Sequence, residues 1–121
     1  MKRDIYEKLV DWKNKPNRKP LILNGARQVG KTYILREFGE REFSKFTFFS
    51  LDRNQNAREV FEKGGSTADI LMALSAISQV DITPGDTLLV LDEIQDCPKA
   101  LETLKFFCED MPELHVIVAG S

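Results

Sequence analysis

The segment Gly25-Ala26-Arg27-Gln28-Val29-Gly30-Lys31-Thr32 constrains the fold of this chain more than any other. It follows a short apolar run, Leu21-Ile22-Leu23, bounded by Pro20 and Asn24, the pattern of a strand buried on both faces. It precedes Tyr33, Ile34, Leu35 and Phe38, whose spacing among charged residues predicts a helix that Gly39 would stop. The unit is strand, glycine loop, helix. Gly25 and Gly30 permit backbone dihedrals and a close approach that a side chain would obstruct, so the intervening N–H groups can converge on an anion. The unpaired donors at the helix start add a partial positive charge toward the same point. The segment matches GxxxxGK[ST], and its physics is that of a phosphate cradle. Gly25, Ala26, Arg27, Gln28, Val29, Gly30, Lys31 and Thr32 are therefore the expected nucleotide-binding residues. Lys31 reaches the β and γ phosphates as a point charge, and the Thr32 hydroxyl is placed to ligate magnesium. Arg27 has two readings, a phosphate or neighbour-subunit contact and a surface ion pair.

The rest of the chain alternates in the same way. Ile5, Leu9 and Trp12 predict a helix over 4–12 that Pro16 ends. Residues 46–51 read as a second strand, 57–62 and 68–80 as helices separated by Gly64-Gly65, and 88–91 as a third strand. A further amphipathic helix follows Pro98, and 116–118 make a fourth strand. Short, wholly apolar strands alternating with helices predict an α/β fold, a parallel sheet covered on both faces with right-handed crossovers.

The third strand delivers Asp92 to the carboxyl edge of that sheet, where open α/β folds bind ligands. Asp92 is expected to hold magnesium, through a water because this ion keeps much of its hydration. Glu93 is expected to orient, or take a proton from, the water that attacks the γ phosphate. An acidic pair after a strand often caps a helix instead. The loop makes the chemical reading the stronger one. Gln95 and Asp96 read as the start of the loop before Pro98, or as a link between site and motion, while Tyr33 lies near the nucleotide or in the core.

Composition limits the alternatives. A length of 121 residues suits one domain, and 42% hydrophobic with 30% charged residues excludes a disordered or fibrous chain. With 17 basic and 19 acidic residues the net charge is −2, so no overall field draws in nucleic acid, and a nucleic-acid partner stays open. The basic stretch at about 13–20 reads as a solvated linker. Cys97 and Cys108 form neither a zinc nor a redox pattern, Cys108 reads as core, and His115 has no ligand partners and reads as structural. The start lacks a signal-peptide run and no apolar stretch approaches the ~20 residues of a membrane span, so a cytoplasmic protein with no membrane partner is expected.

The loop, the Leu-Asp-Glu-Ile-Gln-Asp-Cys-Pro segment at 91–98 and the His-Val-Ile-Val-Ala-Gly-Ser segment at 115–121 together resemble a prokaryotic AAA-type P-loop ATPase family. In that family this domain precedes a C-terminal domain of unknown function. The resemblance implies a P-loop NTPase three-layer fold with strand 4 between strands 1 and 3. It implies an ATP hydrolase using ATP and Mg2+, with Lys31, Glu93 and Ser121 catalytic, Ser121 sensing the γ phosphate from the end of strand 4, and Thr32 and Asp92 on the metal. A homo-oligomer or an attached C-terminal domain would be the partner. The family's fifth strand, later arginines and C-terminal domain are missing from 1–121, which reads as a truncated N-terminal portion expected to hydrolyse slowly. Arg27 and Arg36 are the arginines nearest the loop, and neither is an obvious finger for its own site, so the completing charge is expected from elsewhere. The competing reading is a nucleotide-binding switch or scaffold with little turnover.

Overall fold

The apolar runs become four parallel strands: β1 (Leu21–Leu23), β2 (Lys45–Ser50), β3 (Thr87–Asp92) and β4 (His115–Ala119). In the computed structural model, which describes residues 2–16, 18–23 and 31–120, they pair in the order β1-β4-β3-β2. The fourth strand therefore lies between the first and third, as expected. Every residue of β3 and β4 is buried, because these inner strands are covered on both faces. Successive side chains alternate between the faces. Leu88, Val90 and Ile117 join Leu9 and Trp12 of α1 (Lys2–Lys13) and Leu35 and Phe38 of α2 (Lys31–Glu42) in one core. Leu89, Leu91, Val116 and Val118 join the other core. Its helical residues are Ala57 and Phe61 of α3 (Gln55–Lys63), Leu74 of α4 (Thr67–Ser78) and Phe107 of α5 (Pro98–Asp110). Each of these Leu, Val, Ile and Phe side chains contributes roughly 1.5–3 kcal/mol by leaving water, and the two cores share one three-layer frame.

Local chemistry sets the helix ends. Asn54 accepts from the Ala57 N–H at 3.0 Å and Ser66 from the Asp69 N–H at 3.0 Å, each satisfying an orphan donor of a first turn. Pro98 occupies the start of α5, where its missing N–H is no loss.

Four expectations are corrected. The run Leu21–Leu23 is not buried on both faces, because β1 stands at the edge of the described sheet and Ile22 is 50% exposed. Gly39 does not stop α2, which continues to Glu42. The glycine serves close packing instead: a Cβ there would stand 2.2 Å from Cδ1 and 3.1 Å from Cβ of Phe46 on β2. Tyr33 is not core but 59% exposed, lying on the outer side of α2. Cys108 is only half-buried, whereas Cys97 is fully buried and its thiol is pushed up by that burial.

Candidate functional site

The carboxyl edge of the sheet is built from β2 and β3. Asp92, last in β3, stands in register with Ser50, last in β2, and its carbonyl accepts from the Leu51 N–H at 3.0 Å. α2 begins beside it at Lys31, whose Nζ donates to Asp92 Oδ1 at 3.1 Å. Asp92 and Glu93 are only 8% and 7% exposed, so their charges sit where water screens poorly and a cation matters most. A cavity of about 270 Å³ opens here, lined by Thr32, Phe48, Ser50, Asp52, Arg53, Asp92 and Glu93. A polar groove of about 590 Å³ adjoins it, sharing Phe48, Ser50 and Arg53 and extending over Asn54, Gln55 and Asn56. Lys31, Thr32, Asp92 and Glu93, distant in sequence, thus meet at one edge.

Glu93 adopts a left-handed backbone conformation with φ 53° and ψ 51°, an uncommon state for a residue with a Cβ and one that concentrates at functional turns. Its side chain does not cap the 3-10 turn that follows. Oε1 accepts from Gln95 Nε2 at 2.7 Å, across the short 3-10 turn Ile94–Asp96. The other end of that amide reaches β4: a Cβ on Gly120 would stand 2.8 Å from Gln95 Oε1. Gly120 in turn donates its N–H to the Leu23 carbonyl at 3.2 Å, joining the ends of β1 and β4. Gly25, Ala26, Arg27, Gln28, Val29, Gly30 and Ser121 lie outside the described residues.

The donor set suits magnesium. The Thr32 hydroxyl and the Asp92 carboxylate are hard oxygen donors on one cavity, and this ion takes one or two carboxylates plus phosphate oxygens and waters. Among the described residues no three His, Cys, Asp or Glu side chains gather into a protein-only cage.

Sequence reasoning missed Ser50, Asp52 and Arg53 on the cavity wall. The signal was available, since the rule that sends ligands to carboxyl ends applies to β2 as well as β3. It also missed what holds Arg18 and His115. Arg18 Nη2 donates to the Glu113 carbonyl at 2.8 Å and meets His115 Nδ1 at 3.0 Å, while His115 Nε2 lies 3.3 Å from the Lys13 carbonyl. This pairing uses the tautomer with the proton on Nε2. Burial first, then the Arg18 charge, lowers the His115 pKa to about 4.

A family model described as an AAA domain matches residues 17–121. Among solved structures, that of the Aeropyrum pernix ORC1 protein in complex with DNA resembles this chain with a TM-score of 0.57 at 18% identity. The alignment covers 98% of this chain and 37% of that one, so the chain spans little more than a third of that protein's length. At such identity the likeness establishes the fold. No curated protein matches the chain. No helix among the described residues is long and apolar enough to cross a membrane.

Proposed function

The chain belongs to the AAA domain family of P-loop ATPases, a nucleotide-binding module, and from that premise we propose that it binds MgATP at Gly25 to Thr32 and hydrolyses it. The observation that carries the proposal is the Lys31–Asp92 contact at 3.1 Å, with Thr32 and Glu93 on the same cavity. Two segments that the motif chemistry pairs are in contact at the edge where α/β folds bind ligands.

In this reading residues 1–121 form one nucleotide-binding unit with a basic linker at about 13–20. The ammonium of Lys31 has three donors, so it can keep Asp92 while reaching phosphate oxygens. Thr32 and Asp92 hold the metal. Bound magnesium neutralises charge on the phosphoryl group being transferred. Glu93 orients the attacking water and takes its proton, and Ser121 senses the γ phosphate from the end of β4. Catalysis is positioning and electrostatics without a covalent intermediate. Turnover drives rearrangement of an attached C-terminal domain or a second copy of the chain, in the cytoplasm. A DNA contact like that in the ORC1 complex is not assigned, because a net charge of −2 provides no general attraction for a phosphate backbone.

One observation favours the switch reading with little turnover: the Glu93 carboxylate is engaged by Gln95 at 2.7 Å. Two variants decide. Lys31→Ala removes a charge-assisted phosphate contact and is expected to weaken nucleotide binding at least about tenfold in a titration with fluorescent ATP. Glu93→Gln is expected to keep that binding and lose turnover. Unchanged affinity in folded Lys31→Ala would remove the loop from the site, and an intact parent protein that binds ATP without turning it over would favour the switch.

A further inference from the structure

Arg53 stands on the turn that leaves β2, in the wall of the cavity that also holds Thr32, Asp92 and Glu93. Its backbone N–H is fixed by the Ser50 carbonyl at 3.0 Å, so the start of the side chain is anchored to the sheet edge. The other arginines whose side chains are described are engaged elsewhere. Arg18 bonds Glu113 and meets His115, Arg36 lies over the Phe46 ring at 5.7 Å, Arg41 pairs with Glu37 at 3.2 Å, and Arg58 donates to the Leu51 carbonyl at 2.6 Å. Arg53 pairs with none of the described carboxylates, although Asp52, Asp92 and Glu93 line the same space.

The charge balance of the cavity gives this arginine a use. Among the described residues, the carboxylates of Asp52, Asp92 and Glu93 and the guanidinium of Arg53 line it together, and Lys31 is joined to Asp92. A triphosphate entering beside those carboxylates brings its own negative charge close to theirs. Its terminal phosphoryl group is the part directed toward Glu93 and the metal-holding residues, and so toward Arg53. A guanidinium offers five donors in a planar fork suited to phosphate oxygens.

Resting on the nucleotide-site reading above, we propose that Arg53 is a catalytic residue supplied in cis, contacting the terminal phosphoryl group of bound ATP. It discriminates the triphosphate from the diphosphate and adds positive charge where the transition state develops negative charge. Arg27 and Arg36 are nearest the loop in sequence and neither suits its own site, and the fold brings in Arg53 from the turn after β2.

The test compares nucleotides in binding before it considers turnover. Wild type, Arg53→Ala and Arg53→Lys are titrated with MgADP and with a magnesium complex of a non-hydrolysable ATP analogue, and thermal melting checks that the exposed substitution leaves the fold intact. Arg53→Ala is expected to weaken the triphosphate about tenfold or more while changing the diphosphate less than about twofold, and Arg53→Lys to recover part of the loss. Equal losses for both nucleotides, or no loss for either, would overturn the assignment while leaving the nucleotide site standing. A wild-type chain that binds neither nucleotide would overturn the site reading itself, and the Arg53 assignment with it.

Discussion

At the scale of single residues, Glu93 and Gln95 form the most informative pair. A hydrogen bond to a charged carboxylate is worth about 1.5–3 kcal/mol, enough to decide where a short acidic side chain points. The same amide fills the space above Gly120, where a Cβ would come within 2.8 Å of Oε1. Gly120→Ala would therefore push aside the end of a flexible side chain, which costs little stability but breaks the bond to Glu93. On the hydrolase reading, in which Gln95 orients Glu93 toward the water, Gln95→Ala and Gly120→Ala are each expected to lower kcat by about tenfold while moving the melting temperature little, and the double variant to fall no further. A rise in kcat would show instead that the bond holds Glu93 out of use, as the switch reading has it. Steady-state kinetics on the three variants provide the check. Additive losses would mean that the two residues act on Glu93 independently.

Among the elements, the junction of α2 with β2 shows a local rule overruled by packing. A glycine in a helix loses about 1 kcal/mol relative to alanine, so on propensity alone Gly39→Ala should stabilise the protein. The added methyl would stand 2.2 Å from the Phe46 ring and 3.1 Å from its Cβ, too close to the root of that side chain for a small adjustment. Overpacking of this kind costs about 1–3 kcal/mol. The steric term wins, and Gly39→Ala is expected to lower the urea midpoint of unfolding. A rise would show that Phe46 swings clear and that α2 does not need its glycine.

For the molecule as a whole, His115 ties the front of the chain to its inner strand. It contacts Arg18 and the Lys13 carbonyl, and its ring packs edge-on against Trp12 of α1 at 5.5 Å and Phe43 at 4.8 Å. Burial and the Arg18 charge keep it neutral, with a pKa of about 4 against 6.5 for an unperturbed imidazole. The unfolded chain binds the proton more readily, so stability from this site is complete above about pH 6.5 and is lost as pH falls toward 4. The full difference is on the order of 3 kcal/mol. His115→Gln lacks that titration. Unfolding free energies at about pH 7.5 and about pH 4.5 are expected to fall more in wild type than in the variant, and equal falls would remove His115 from the acid response.

Periodicity and motif chemistry were sufficient for the element order, the parallel sheet and the placement of Lys31, Thr32, Asp92 and Glu93 as candidates. These signals are local: an apolar run buried on two faces and a glycine loop between strand and helix are written in consecutive residues. Tertiary structure alone decided that Gly39 yields to Phe46, that Gln95 spans Glu93 and Gly120, that Arg18 holds His115, and that the turn after β2 contributes Arg53 to the cavity. Each of these depends on which strands are neighbours and on the register Ser50 against Asp92. Such juxtapositions arise only when separate elements bury their apolar faces on one another, and no spacing along the chain encodes the distance between their side chains.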